Sequence, residues 1–527
     1  MLKLAEMTPE QKIGRVLCAR RFNEQDDIDF TLELIKKEAC GCLQIPYKGR
    51  MKELIKTFRE AADYPLLIIN DMGNGFPPSA LPKVPLVSLA ASKNHEYTKA
   101  FAAAIAKEAR EAGYSGVWSP VVDIVQGNGP CKVSRCAGDD PMSVSEIAKD
   151  MLEVFESYNY SGSAKHYPGA DIGGVDTHMV EGVSYMTEEE LVNETLVPYF
   201  ELMRTGLLRS IMVGHQRLVN IDAEYPASLS KKVIDIIRKR GFDGVAFTDS
   251  LAMMGILQKF GEAGAMALAL MAGNDIILPN YRTPTREVYQ MMLDSYRKGD
   301  ITDERLDEAV RRVMKLEEYC AKEPKSPYPV PENIEEVLNN IARDCITAEC
   351  SEGVLPAIGD NDKKRLFITV TEQDFDADAD SQEITSTNWY SPKRVEEAVK
   401  KNFPTSDVLF VREFTSARDN EYVLNTAIAY DEVVFVTYCK STAYSGTDGL
   451  TRRMESLMNA LIAPGKVKAI VHFGNPLALK YLLPVERKLY GYIAPASQKY
   501  AFDVLAGKIP AKGTNPFPKL CKSEIEE

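Results

Sequence analysis

Five histidines occur in the 527 residues, at positions 95, 166, 178, 215 and 472, and two of them share one short segment. That segment is KHYPGADIGGVDTH (165–178), in which Asp176 stands two residues before His178. At this spacing a carboxylate can accept a hydrogen bond from one imidazole nitrogen. That bond fixes the tautomer and makes the other nitrogen more basic. A histidine held this way can give and take a proton near neutral pH; the same pair could equally be a local staple of the loop. A further carboxylate, Asp249, lies in GFDGVAFTDSLAMMGI (241–256) at the end of a strand predicted over Val245–Thr248. It could act as a nucleophile, a proton acceptor or the N-cap of a helix starting at Ser250. Arg135 and Lys165 are cations near predicted strand ends, either surface charges or groups that bind hydroxyls or an anion. One nucleophile candidate beside one Asp–His acid/base candidate suits hydrolysis or transfer through a covalent intermediate.

Residues 1–320 alternate short apolar runs with amphipathic stretches that must position these groups. Strands are predicted at Gly41–Pro46, Leu66–Asn70, Val117–Val122, Ile211–Gly214, Gly244–Thr248 and Asp275–Leu278, with helices such as Lys99–Glu111 and Lys232–Arg240 between them. This repetition predicts an α/β fold with an N-terminal (β/α)₈ TIM-type barrel, whose chemistry sits at the strand C-terminal ends. Gly169, Gly173 and Gly174 argue that the 165–178 segment is neither helix nor strand. Residues 321–360 read as a linker and helix, because KEPKSPYPVPEN (322–333) carries four prolines ahead of a helix at Ile334–Cys345. A second, smaller open α/β domain is predicted over 361–527, with strands from Arg365 and at Val408–Val411, Glu432–Tyr438 and Val467–Phe473. Its loop TAYSGTDGLTRR (442–453) could reach over the barrel mouth or simply connect elements at the surface.

Composition narrows the class. Apolar residues are 45% and charged residues 26%, with 33 glycines and 29 prolines, the balance of a globular chain. A net charge of −13 argues against nucleic acid or an anionic membrane as partner. The longest apolar run, Ala263–Gly273, has 11 residues, short of the roughly 20 that span a bilayer. The charged N-terminus has no signal-peptide core, so a cytoplasmic location with reduced thiols is expected. No P-loop, HExxH, calcium loop or paired CxxC set is present in the sequence, so neither a metal nor another cofactor is implied.

Taken in order, several segments resemble glycoside hydrolase family 3, most closely its β-N-acetylglucosaminidase branch. They are LLIINDMGNG (66–75), WSPVVDI (118–124), RCAGDDP (135–141), KHYPGADIGGVDTH (165–178), IMVGHQ (211–216), YPASLS (225–230) and the 241–256 segment, with VLAGKIPAKGTNPFPKL (504–520) closing the second domain. The resemblance implies a retaining, exo-acting β-N-acetylhexosaminidase. In it Asp249 is the nucleophile, His178 the acid/base and Asp176 its partner, while Asp71, Arg135, Lys165 and His166 hold hydroxyls of the −1 sugar. His215 would line the same pocket. A carbohydrate is the implied partner, and oligomeric state is left open. Three departures bear on the sugar: the family's DQEGG reads DMGNG (71–75), its arginine eight residues beyond that aspartate is Ser79, and its histidine after KHFPG is Ala170. Another exo-β-glycosidase, a β-glycoside phosphorylase or a non-catalytic sugar-binding protein are the alternatives.

Overall fold

The computed structural model describes residues 2–47, 49–126, 133–359, 363–371, 392–439, 443–444, 446, 449–492 and 496–520. Thr442, Ser445, Thr447 and Asp448 of the 442–453 loop lie outside these residues, as do Cys131 and Cys521. The chain forms two compact units. The first comprises Met1–Ala80, Thr98–Ile124 and Pro141–Glu332; the second comprises Leu81–Tyr97, Val125–Asp140 and Asn333–Glu527.

The first unit is a curled parallel sheet ringed by helices. Its strands are β1 (Cys18–Ala19), β2 (Cys42–Leu43), β3 (Leu67–Asn70), β4 (Gly116–Val117), β5 (Ser161–Tyr167), β7 (Ser210–Val213) and β9 (Val245–Thr248), hydrogen-bonded in that order. A small parallel pair, β6 (Val183–Ser184) with β8 (Arg217–Leu218), lies apart from the ring. Both edges of the curled sheet reach residues 276–277. Phe247 on β9 bridges Ile276, and Leu17 beside β1 bridges Ile277. The amide of Cys18 donates to the Ile277 carbonyl at 3.0 Å and that of Thr248 to the Ile276 carbonyl at 3.1 Å.

Several predicted strands are shorter than expected. Pro120 brings no N–H to a ladder, so of the Val117–Val122 run only Val117 joins a regular strand, with one bridge from Val121 to Lys165. Asp275–Leu278 makes isolated bridges in place of a regular strand. A correction runs the other way: Lys165, His166 and Tyr167 belong to β5, and the irregular, glycine-rich path begins only at Pro168. Gly169, Gly173 and Gly174 there have φ of 73°, 64° and 78°, the left-handed region that glycine enters without steric cost.

β3, β7 and β9 are buried at every residue, as strands covered on both faces must be. Leu67, Ile69, Trp118, Met212, Val245, Phe247, Ile276 and Leu278 form one cluster inside the ring, with Trp118 edge-on to Phe247 at 6.0 Å. The ring therefore encloses a packed core, not a channel. Beneath it, at the N-terminal end of the 275–278 segment, the fully buried Asp275 pairs with Arg238 at 2.6 Å, Arg305 at 2.8 Å and Arg312 at 3.3 Å. Burial pushes its carboxyl up, but the three guanidinium groups outweigh burial and hold it below the ordinary carboxylate value.

The second unit carries a six-stranded sheet in the order β10 (Thr347–Cys350), β15 (Arg487–Tyr490), β14 (Val467–Gly474), β13 (Glu432–Cys439), β11 (Arg365–Thr371), β12 (Asp407–Arg412). All its pairings are parallel except that of β10 with β15. Its histidine, His472 on β14, is fully buried between Thr437 Oγ1 and the Asn475 carbonyl, each 2.7 Å away. Burial lowers that imidazole to about 4, so it is neutral in the fold at neutral pH.

Candidate active site

The sheet register brings the candidates together. Tyr167 on β5 pairs with Val213 on β7, which pairs with Thr248 on β9. Pro168, Gly214 and Asp249 therefore leave three adjacent strands at one level. Lys165, one turn of the pleat earlier, is 3% exposed at its side chain and ion-pairs with Asp71, which follows β3 and is 56% exposed. The buried lysine thus meets a carboxylate that is itself largely exposed. Tyr47 donates to the Asp71 carbonyl. Burial, then Asp71, push the Tyr47 phenol well above its ordinary value, so it acts as a donor.

His166 turns away from that pair. Its Nδ1 lies 2.8 Å from Asp123 Oδ2 and its amide donates to Asp123 Oδ1 at 2.8 Å. A carboxylate only accepts, so Nδ1 carries the proton and the ring orientation is fixed. Asp123 was not singled out in the sequence, although it follows the predicted strand in WSPVVDI, where strand-end residues matter.

The Asp176–His178 pair forms as the spacing predicts. Asp176 Oδ1 accepts from the His178 amide at 3.0 Å and faces its Nδ1 at 2.8 Å. The aspartate side chain is 2% exposed and the histidine 21%. Nδ1 is therefore the donor to Asp176, and proton transfer falls to Nε2. The loop is pinned at two places. The His178 carbonyl accepts from the Met254 amide at 3.1 Å, just beyond Asp249. A few residues on, the chain enters β6 and pairs with β8. A Cβ on Gly255 would meet the Val180 carbonyl oxygen at 2.8 Å, so the bare backbone at 255 is what lets the loop seat this closely.

Asp249 is half-buried; its amide donates to the Val213 carbonyl at 2.8 Å and its Oδ1 accepts from the Ser250 amide at 2.7 Å. That bond is cap-like, but the helix begins later, at Met254. His215 is 3% exposed, with Nδ1 2.8 Å from Ser228 Oγ and Nε2 3.0 Å from the Ser250 carbonyl. Both nitrogens face protein groups, so the ring supports the segment that carries Asp249.

The remaining positions separate. Arg135 ends a short 3₁₀ turn, Val133–Arg135, in the part of the chain that groups with the second unit. Ser79 donates to Glu108 Oε1 at 2.7 Å on the helix His95–Glu111, and Ala170 is buried. Among the described residues no group of three or more His, Cys, Asp or Glu is arranged to hold a metal ion.

Residues 22–316 match the N-terminal domain of glycosyl hydrolase family 3. The chain belongs to that family. Within glycosyl hydrolase family 3, its relatives include a β-N-acetylglucosaminidase/β-glucosidase of Cellulomonas fimi, 27% identical over 331 residues that make up 59% of this chain and 58% of that protein. A β-hexosaminidase of Xylella fastidiosa is 31% identical over 48% of this chain and 77% of its own. The first match thus spans little more than half of the relative's length. Among solved structures, a family 3 β-N-acetylglucosaminidase from Paenibacillus sp. aligns over 98% of this chain and 99% of its own, with a TM-score of 0.78 and 22% identity. A β-glucoside phosphorylase aligns over 98% and 95%, with a TM-score of 0.79 and 19% identity. The shared fold therefore extends through both units.

Proposed function

We propose that the protein is a retaining, exo-acting β-N-acetylhexosaminidase that removes terminal N-acetylglucosamine from glycan or cell-wall fragments. The observation that carries the reading is the Asp176–His178 pair, on a loop hydrogen-bonded to the segment that follows Asp249. In the first step an Asp249 carboxylate oxygen bonds to the anomeric carbon as the glycosidic bond breaks, and His178 Nε2 gives its proton to the leaving oxygen. In the second, water attacks the same carbon, His178 Nε2 takes its proton and Asp249 departs. Asp71 as acceptor and Lys165 as donor hold sugar hydroxyls in this reading, while Asp123 orients His166. The names of the β-hexosaminidase relatives support the substrate class.

A second reading, a β-glycoside phosphorylase, is favoured by one feature. The base form of His178 is neutral and does not repel an anionic acceptor as a carboxylate would. One experiment addresses both: nitrophenol release from a panel of p-nitrophenyl β-glycosides, with and without phosphate. Cleavage of the N-acetylglucosaminide that is lost in Asp249→Ala supports the hydrolase. A rate that requires phosphate supports the phosphorylase, and silence across the panel in a folded protein overturns both. A cytoplasmic location is proposed with the function, supported by the reduced thiols of Cys18, Cys40, Cys42, Cys320, Cys345 and Cys350; cell fractionation tests it.

A further inference from the structure

Arg20 follows β1, which has only two residues, Cys18 and Ala19, and so leaves no periodic signal in the sequence. Its guanidinium reaches across the ends of distant strands. Nε donates to Gln44 Oε1, while Nη1 donates to Ser250 Oγ at 2.7 Å and to the Pro279 carbonyl at 2.8 Å. From Gln44 the chain of bonds continues: its amide nitrogen donates to Asn70 Oδ1 at 3.0 Å, and that oxygen also accepts from the Asp71 amide at 2.9 Å. At the other end, the Ser250 amide donates to Asp249 Oδ1 and its carbonyl accepts from His215. One polar path thus runs from Asp249 through Ser250, Arg20, Gln44 and Asn70 to Asp71, which holds Lys165.

We infer that Arg20 is a positioning residue that sets the nucleophile segment Asp249–Ser250 against the sugar-binding pair Asp71–Lys165. This rests on the reading of Asp249 as nucleophile. A guanidinium suits the task because its donors stand on separate nitrogens of a rigid planar fork, whereas a lysine offers its three donors from a single nitrogen. It also places a permanent positive charge in the field of Asp249 and Asp71. Burial presses the Arg20 guanidinium below its ordinary value, and Cys18, Asp249 and Asp71 each draw it back. The other charged groups carried by the strand ends and the following loop of this unit are Lys165 beside Asp71 and His178 beside Asp176.

Arg20→Gln and Arg20→Lys separate geometry from charge. In the full-length protein, with the aryl β-glycoside that the wild type cleaves, Arg20→Gln should lower kcat/KM by about 10²-fold, the scale of an ångström-sized misplacement. It should also move the acid limb of the pH profile upward, because a carboxylate that loses a cation ionises less readily. Arg20→Lys should return the limb toward its wild-type position and leave most of the kcat loss. A folded Arg20→Gln with an unshifted limb and kcat within about twofold of wild type overturns the inference. Should that variant not fold, Ser250→Ala removes only the hydroxyl that Arg20 grips; a smaller fall in kcat supports the path, and a wild-type kcat overturns it. If Asp249→Ala keeps wild-type turnover, the nucleophile reading fails and the inference falls with it. If Asp249→Ala is dead and Arg20→Gln is unaffected, the inference alone is wrong.

Discussion

Two clusters of charge sit at opposite ends of the same sheet and are built on different terms. At the floor, Asp275 is fully buried and faces three arginines, and its carboxylate also accepts from the Ala246 amide at 2.9 Å. At the mouth, Asp71 is 56% exposed, His178 is 21% exposed and Asp249 is half-buried. The floor surrounds one acid with more cation than it needs. The mouth keeps each acid or base orientated by a neighbour yet more exposed to solvent than Asp275. Similar side chains thus serve cohesion where their partners enclose them, and chemistry where the enclosure is incomplete.

Substitutions can break that contrast, and the largest expected effect is at the mouth. Asp249→Ala should abolish turnover and leave the melting temperature close to wild type, measured by aryl-glycoside assay beside thermal unfolding; a lost fold would move Asp249 into the floor's category. Asp275→Asn should do the reverse, costing about 3–5 kcal/mol by taking the carboxylate from the buried Arg238 and leaving Arg305 and Arg312 only Glu308 and Asp243, read from denaturant unfolding of the full chain. The same site carries a pH signature. Its carboxyl is held below its ordinary value of 3.8, so the folded state binds the proton less readily than the unfolded one. That stability is fully present above about pH 4 and is lost as the pH falls through the lower folded value. Asp275→Asn should therefore flatten the acid side of the stability curve.

His178→Ala should slow glycosides with poor leaving groups by about 10²–10⁴-fold and aryl glycosides with good ones far less, since only the former need protonation. Equal losses on both would remove His178 as the acid. The smallest effect belongs to Gly255→Ala. Its Cβ would press on the Val180 carbonyl at 2.8 Å, displacing the His178 loop for a stability cost of about 1–3 kcal/mol. It should also weaken turnover of poor leaving groups more than good ones.

How much of this was legible depended on the length and chemistry of each element. The Asp176–His178 pair and Asp249 at a strand end could be read directly, because two-residue spacing and a four-residue apolar strand are local properties. The glycines after Pro168 were legible for the same reason. β5 was hidden at Lys165–Tyr167, where lysine and histidine are buried by long-range partners, Asp71 and Asp123, that no local pattern announces. β1 was too short to show a period, and Arg20 was lost with it. Asp275 is likewise a property of assembly, since its three arginines come from residues 238, 305 and 312. The grouping of Leu81–Tyr97 and Val125–Asp140 with the second unit carries no composition shift that would mark it.

The pinned loop between Pro168 and β6 has a consequence for how such a molecule can change. Both proposed reacting groups, and the main-chain bond that couples their segments, are encoded within one compact unit. Variation in the second unit can therefore accumulate, or be introduced by recombination, without removing either group. Variation within 176–255 has no such freedom, because the donor's loop and the nucleophile's segment are held in a single hydrogen-bonded frame and must be inherited together.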